Sequence, residues 1–444
     1  MVRSSAVALV ASLVVLAGVS ACGREPTRAL PSPIAAAAPS TRVPDDPHSA
    51  AQPNQTAVTH LALELTVDFD RQRLRGTAAY TLDRKVAGAD LILDTESLEI
   101  IATRACGQGG PALAHTLGPA DPLLGAALTI TVPAAVGCVE VEYQTTPGSR
   151  ALLWVAPPGT RGGVHPMLFT QSQPINGRSW LPSQDSPGVR FTYDAVVHVP
   201  PDLIALMSAE NPQARTADGT YRFRMAQPIP SYLVALAVGD FAFRPIGVHT
   251  GVYAEPTLVD AAAAEFVEVD AMMTTAEELY GPYRWGRYDL LVLPPSFPMG
   301  GMENPRLTFL TPTVITGDRT MVSLIAHELA HSWSGNLVTN ASWKDMWLNE
   351  GFTSYVENRI VEALYGKERA DMEFVISRNG LVAELAEVPE AQQVLVLPAR
   401  GGSDPEDALG AVAYDKGAWF LQFLEQRFGR EAFDPFLRSW FDTH

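Results

Sequence analysis

The residues with the clearest chemical potential are two histidines that lie four positions apart. His327 and His331 belong to the pentapeptide HELAH, and Glu350 follows after eighteen intervening residues. Residues i and i+4 of a helix share one face, with Cβ atoms about 5–6 Å apart, so both imidazoles can bind one metal ion. Two neutral imidazoles and one carboxylate leave Zn²⁺ with a positive charge and an open coordination position. The spacing therefore predicts one catalytic zinc ion, with Glu328 beside it to take a proton from water.

Two helices must position these ligands. Residues 320–333 are predicted to form the helix that carries HELAH, and residues 346–364 the helix that carries Glu350. Around them, helices are predicted at 261–280 and 415–428, strands at 288–293 and 307–309, and a Gly- and Pro-rich loop at 297–305. These elements indicate a mostly helical α+β catalytic domain over residues 248–444.

The preceding part of the chain has a hydrophobic period of two. In residues 61–69, Leu, Val and Phe alternate with Ala, Glu, Thr and Asp, which is typical of a half-buried strand. Further short strands are predicted at 76–82, 89–93, 128–132, 139–143, 191–199, 221–225 and 232–238. Many short strands separated by turn residues predict an all-β saddle or sandwich domain over residues 57–247.

The N-terminus has the pattern of an export signal. Arg3 precedes an uncharged apolar run at 6–19, which is too short for an ordinary membrane-spanning helix. The small residues before Cys22 resemble the bacterial lipobox, so we expect a lipoprotein signal peptide at 1–22 and a membrane anchor on Cys22. Plain secretion is the alternative. Residues 23–56 are rich in Pro, Ala and Ser and are predicted to be a flexible tether in the cell envelope.

Charge and cysteine content narrow the possible partners and the compartment. The net charge of −17 argues against a nucleic-acid partner, because phosphate recognition needs a basic surface. Acylation of Cys22 would leave Cys106 and Cys138, which can form a disulfide in an oxidising compartment. Two free thiols are the alternative, and nothing in the sequence indicates an oligomeric state.

Several motifs together carry a family resemblance. HELAH with Glu350, preceded by the segment Gly-Gly-Met-Glu-Asn at 300–304, resembles the aminopeptidase N-type zinc metallopeptidases of family M1. The similarity is greatest to the branch of leukotriene hydrolases and related bacterial aminopeptidases. It is carried by residues 171–173, 290–305, 336–340 and 347–351, and it extends over roughly residues 60–444. The resemblance implies an all-β N-terminal domain followed by a thermolysin-like catalytic domain.

The resemblance also implies a role for each catalytic residue. His327, His331 and Glu350 would bind one zinc ion. Glu328 would be the general base for water attack. Tyr414, in the run Tyr-Asp-Lys-Gly, would stabilise the tetrahedral oxyanion through its phenol.

The remaining motif residues would bind substrate. Glu303 matches the glutamate that holds the free α-amine, which restricts cleavage to the N-terminus, and Gln173, with Gln171 nearby, matches the family's Gln-x-Gln. The peptide backbone would approach the segment made of Gly300, Gly301 and Met302, as an added strand. The implied function is a zinc-dependent aminopeptidase that removes N-terminal residues from peptides.

The sequence departs from the branch pattern in two places. Where the leukotriene hydrolases carry an Asp and a second Tyr for epoxide chemistry, this chain has Glu406 and Leu409, which disfavours a bifunctional epoxide hydrolase. The family's C-terminal helical domain is absent from this sequence, so we expect either a fragment of a longer protein or a shortened homologue. Two further alternatives are a catalytically silent zinc-containing binding protein and a thermolysin-like endopeptidase.

Overall fold

The computed structural model describes residues 42–397 and 404–443. In its first half the regular elements are strands and short 3₁₀ turns, without an α-helix. The strands are β1 (Thr56–Asp68), β2 (Arg73–Arg84), β3 (Leu91–Thr95), β4 (Glu99–Ala105), β5 (His115–Leu117), β6 (Ala126–Ile130), β7 (Cys138–Gln144), β8 (Leu152–Val155), β9 (Met167–Thr170), β10 (Arg190–His198), β11 (Ile204–Met207), β12 (Thr220–Pro230) and β13 (Leu236–Gly239).

These strands form three sheets. The largest has the order β12-β10-β1-β2-β7-β4, and the others are β11-β13-β9-β8 and β3-β6-β5. Strand β1 pairs in parallel with β10 and antiparallel with β2. Its buried Leu61, Leu63 and Leu65 alternate with the exposed Ala62, Glu64 and Thr66, as a sheet with one face on the core requires. The predicted all-β domain is confirmed.

The second half combines a mixed sheet with helices. Strands β14 (Ala242–Pro245), β15 (Thr250–Ala254), β16 (Tyr288–Val292), β17 (Gly301–Met302) and β18 (Leu307–Leu310) form the order β14-β15-β16-β18-β17. The helices are α1 (Val259–Glu265), α2 (Val269–Tyr280), α3 (Val322–Ala330), α4 (Trp347–Tyr365), α5 (Lys367–Glu387), α6 (Gly417–Phe428) and α7 (Arg430–Thr443). An apolar core lies between this sheet and the helices, and Leu290, Leu329 and Val356 are buried in it. This arrangement is the predicted α+β catalytic domain.

Two predicted elements differ from the structure. The single helix at 261–280 is two helices, because the Glu265 carboxylate accepts hydrogen bonds from Thr316, Gly317 and Arg319 of a distant loop and the chain turns after it. The strand at 232–238 begins only at Leu236, since residues 231–233 form a short 3₁₀ turn. Local periodicity shows neither the contacts of Glu265 nor the turn at 231–233.

The predicted signal peptide, with Cys22, lies outside the described residues. The predicted flexible tether at 23–56 is wrong for its last part, because Arg178 donates a hydrogen bond to the His48 carbonyl and Ser186 donates one to Asp46, which holds this segment against the β domain. Within the two described ranges, no helix is long and apolar enough to cross a membrane. Cys106 and Cys138 form a disulfide, with their Cα atoms 5.3 Å apart. It joins the ends of two paired strands, β4 and β7.

Candidate zinc metallopeptidase site

Helices α3 and α4 bring the three predicted ligands together. His327 lies in the last turn of α3, His331 follows directly at its C-terminal end, and Glu350 lies in the first turn of α4. The two histidine Nε2 atoms are 3.2 Å apart, and each is 3.4 Å from Glu350 Oε2. Ligands about 2.05 Å from a tetrahedral zinc ion would lie about 3.3 Å from one another. The spacing of the three atoms therefore fits one zinc ion.

The outer nitrogens of the two histidines support the same conclusion. His327 Nδ1 is 3.0 Å from Glu357 Oε2, and His331 Nδ1 is 3.2 Å from the carbonyl oxygen of Ser334. Both acceptors favour a proton on Nδ1, which leaves a lone pair on each Nε2. Two lone pairs and the Glu350 carboxylate then face one another, an arrangement that a cation at their centre makes favourable.

Glu328 lies beside the ligands, on the face of α3 that looks towards strand β17. Its side chain is buried, and within the described part of the chain its Oε2 has no hydrogen-bond partner. Burial raises the pKa of Glu328 to about 7, partly offset by the two ligand histidines. A carboxylate with a raised pKa in a closed site is suited to accept and return a proton near neutral pH.

Gly301 makes room for this carboxylate. A Cβ atom on Gly301 would lie 2.1 Å from Glu328 Oε1, and a Cβ on Gly300 would meet nothing nearer than the Leu324 side chain at 3.5 Å. The Glu328 carboxylate therefore requires glycine at position 301, whereas position 300 has room for a Cβ atom. Strand β17, which Gly301 shares with the buried Met302, pairs with β18 and is the last strand of its sheet, so its outer edge can accept a peptide.

Glu303 completes the polar part of the site. Its carboxylate is buried, and one of its oxygens lies within 4.8 Å of a carboxylate oxygen of Glu328 and of a ring nitrogen of His331. Gln173 Nε2 donates to Glu303 Oε1 over 3.2 Å, and Asn336 Nδ2 donates to the Glu303 carbonyl oxygen over 2.8 Å. Burial raises the pKa of Glu303, and among the residues that the structure describes no lysine or arginine pairs with its carboxylate.

Gln171 takes a different position from Gln173. Its Nε2 lies 3.4 Å from the sulfur of Met302, and its Oε1 has no hydrogen-bond partner among the residues that the structure describes. The two glutamines enter the second domain from the loop after β9, which belongs to the all-β domain. The site is therefore built by both halves of the chain.

Tyr414 lies against the predicted zinc ligand His327. Its ring stacks on His327, with 5.9 Å between ring centroids and 23° between planes. Burial, with the nearby carboxylates, raises the pKa of Tyr414 well above its ordinary value, so the phenol keeps its proton and can donate a hydrogen bond. Tyr414 lies in one turn of π-helix over residues 412–416, where the Lys416 amide donates to the Ala411 carbonyl. Such turns are frequent at functional sites.

A cavity of about 390 Å³ opens from these residues. Beyond the zinc ligands and the three other acidic and phenolic groups, its walls are Gln173, Met299, Gly301, Glu406 and Leu409. Asn176 Nδ2 donates to Glu406 Oε1 over 3.3 Å. The two residues at which the sequence departs from the leukotriene hydrolase pattern thus face the cavity.

The sequence interpretation missed the groups that hold the ligands in place. Glu357 orients His327, and Thr353 Oγ1 lies 3.1 Å from His331 Nδ1. A signal for Glu357 was present, since it follows Glu350 by seven residues and two helical turns place both on one face. Thr353 has no comparable signal.

Comparison with known proteins agrees with this geometry. Two family models match the chain, the Peptidase M1 N-terminal domain over residues 57–233 and the Peptidase family M1 domain over residues 264–444. The chain belongs to peptidase family M1. This M1 protein is 40% identical to leucine aminopeptidase 2 of Yarrowia lipolytica, over 89% of this chain and 62% of that protein. It is 41% identical to leukotriene A-4 hydrolase of Xenopus laevis, over 89% of this chain and 66% of that protein.

The chain is also similar to the solved structure of a leukotriene A4 hydrolase. Native leukotriene A4 hydrolase from Saccharomyces cerevisiae superposes with a TM-score of 0.85 at 35% sequence identity, over 91% of this chain and 64% of that one. This M1 chain therefore spans a little under two thirds of the length of the relatives it matches. The two family models together contain every site residue named above.

Proposed function

We propose that this protein is a zinc-dependent aminopeptidase that removes N-terminal residues from peptides. The observation that carries the proposal is the buried Glu303 carboxylate, which lies in the same cluster as Glu328 and the zinc ligand His331. A carboxylate without a side-chain cation, placed next to a hydrolytic centre, favours substrates that bring an ammonium group. That requirement distinguishes an aminopeptidase from an endopeptidase.

Each residue of the site has a separate role in the proposed reaction. A bound zinc ion, held by the three ligands, supplies Lewis acidity and lowers the pKa of water. Glu328 takes a proton from the attacking water and later returns it to the leaving amine. Tyr414 donates a hydrogen bond to the oxygen that becomes negative as the carbonyl carbon turns tetrahedral. Glu303 and Gln173 hold the α-amine, so the first peptide bond is the one presented to Glu328.

The free edge of β17 orients the peptide. Its outer backbone groups can pair with the substrate main chain, while the first side chain extends into the cavity beside Met299 and Leu409. We do not propose epoxide hydrolysis, because Leu409 offers no polar group where the leukotriene hydrolase pattern has a second tyrosine. Peptide hydrolysis requires only the groups described above.

The test is hydrolysis of aminoacyl reporter amides with and without a zinc chelator. We expect chelator-sensitive turnover that zinc restores, and no such turnover would refute the proposal. Glu328→Gln should lower kcat by at least about 10³-fold while zinc content stays near one ion per chain, because the amide cannot accept the proton. N-terminally acetylated reporters distinguish the endopeptidase alternative, which predicts undiminished cleavage.

We also propose, from the sequence pattern, that the protein is exported and anchored to a membrane by acylation of Cys22. The Cys106–Cys138 disulfide supports an oxidising compartment. Metabolic labelling with a fatty-acid analogue in a bacterial host tests this proposal. Label on the natural sequence and none on Cys22→Ser is the expected result, and a soluble, unlabelled protein would refute the anchor.

A further inference from the structure

The backbones of α4 and α6 touch beside the zinc site without any side chain between them. A Cβ atom on Gly351 would lie 2.7 Å from the Cα of Gly417 and 2.9 Å from the carbonyl oxygen of Ala413. A Cβ on Gly417 would lie 2.7 Å from the Cα of Gly351. Carbon atoms in favourable contact are about 3.5–4.0 Å apart, so neither position has room for alanine.

Backbone conformation does not explain these glycines. Gly417 has φ −59° and ψ −51°, which is ordinary helical backbone, and Gly351 lies within α4. Glycine inside a helix is about 1 kcal/mol less favourable than alanine. The close approach of the two helices is therefore the physical reason for glycine at both positions.

The contact lies between two functional groups. Gly351 follows the zinc ligand Glu350 directly, and Gly417 follows Tyr414 by three residues at the end of the π-helical turn. The carbonyl of Ala413, the residue before Tyr414, is part of the same contact. Any displacement of the two backbones changes the distance from the phenol to the zinc ligands.

We infer that Gly351 and Gly417 are positioning residues that set the distance from the Tyr414 phenol to the reacting carbonyl. The inference rests on the proposed aminopeptidase function and deepens it. An alanine at Gly417 must move the π-helical turn away from α4 by about 1 Å to reach an ordinary contact distance. The three zinc ligands and Glu303 all lie outside that turn, which contacts the zinc site through the stacking of Tyr414 on His327.

The expected effect falls on the transition state. A misplacement of about 1 Å can cost about 10²-fold in rate, and the loss of one oxyanion donor costs about 10²–10³-fold. Gly417→Ala should therefore lower kcat about 10²-fold and leave KM within about threefold. It should also weaken binding of a phosphonate analogue of the tetrahedral state, but not binding of the free amino-acid product.

A double-mutant cycle separates positioning from general damage. In a Tyr414→Phe background the donor is already gone, so Gly417→Ala should cost no more than about threefold in kcat. The matched control is Gly380→Ala in α5, where a Cβ meets nothing nearer than 3.8 Å and full activity is expected. Zinc content and unfolding temperature are measured for every variant.

Three results would overturn the inference. The first is a Gly417→Ala enzyme as active as the Gly380→Ala control. The second is an equal loss of kcat in the presence and absence of the Tyr414 hydroxyl. The third is failure of both Gly417→Ala and Gly351→Ala to fold, which would make the contact purely structural. An unmutated protein without turnover would instead refute the proposed function.

Discussion

Replacing Glu303 with Gln should lower aminopeptidase activity and raise the stability of the free protein. The carboxylate is buried, accepts one hydrogen bond from Gln173 at 3.2 Å, and has a pKa raised by burial. The substrate ammonium would complete a buried ion pair. Breaking such a pair by removal of one partner costs about 3–5 kcal/mol, and each 1.4 kcal/mol is a factor of about ten. Because Gln keeps one acceptor oxygen, we expect kcat/KM to fall by about 10²–10³-fold.

The same substitution should stabilise the free protein. The amide that replaces the carboxylate carries no charge, so the metal-free variant no longer holds an unneutralised carboxylate at this position in its interior. We expect the free energy of unfolding to rise by about 1 kcal/mol, and the unfolding temperature by about 1–3 °C. A variant that is more stable and less active is the signature of a residue retained for binding.

Steady-state kinetics with free and acetylated reporters is the decisive assay. In the unmodified enzyme the free amine should be preferred by about the factor that Glu303→Gln removes, and the variant should discriminate little between the two substrates. Glu278→Gln, the same chemical change on an exposed residue of α2, is the control. The reasoning is wrong if Glu303→Gln keeps normal kcat/KM, or if it loses activity equally on acetylated substrates.

Three other perturbations test the supporting structure. Glu357→Gln should weaken zinc affinity about 10–100-fold in chelator competition, because His327 loses its charged acceptor. Unchanged affinity would contradict this role of Glu357. Cys106→Ser removes the disulfide, which closes a loop with a sequence separation of 32, and chain entropy predicts that the free energy of unfolding falls by about 4 kcal/mol. A fall below about 1 kcal/mol in denaturant unfolding would argue against this stabilisation. Although burial favours its neutral form, hydrogen bonds from His48 and Ser186 hold the pKa of Asp46 below its ordinary value. Its stabilisation is therefore present above about pH 4 and lost as the pH falls through the lowered pKa, so Asp46→Asn should flatten the acid limb of stability against pH.

Local spacing was sufficient wherever one element carries the information. His327 and His331 meet because four residues make about one helical turn, and the alternation in β1 predicts a strand with one buried face. Both patterns depend on a few consecutive residues. Local spacing was insufficient at 261–280, where a hydrogen-bonded loop some fifty residues away divides the predicted helix after Glu265.

The sequence by itself determined the ligand types, the helix that pairs them and the β-then-α order of the two domains, since each follows from local periodicity and residue chemistry. The family resemblance assigned Gln173 and Glu303 to one site, but tertiary structure alone decided how distant groups meet there. Gln173 reaches Glu303 across 130 residues, and Gly351 meets Gly417 across two helices. Such contacts depend on how the elements pack, and packing is a property of the whole chain, which no short window of sequence contains.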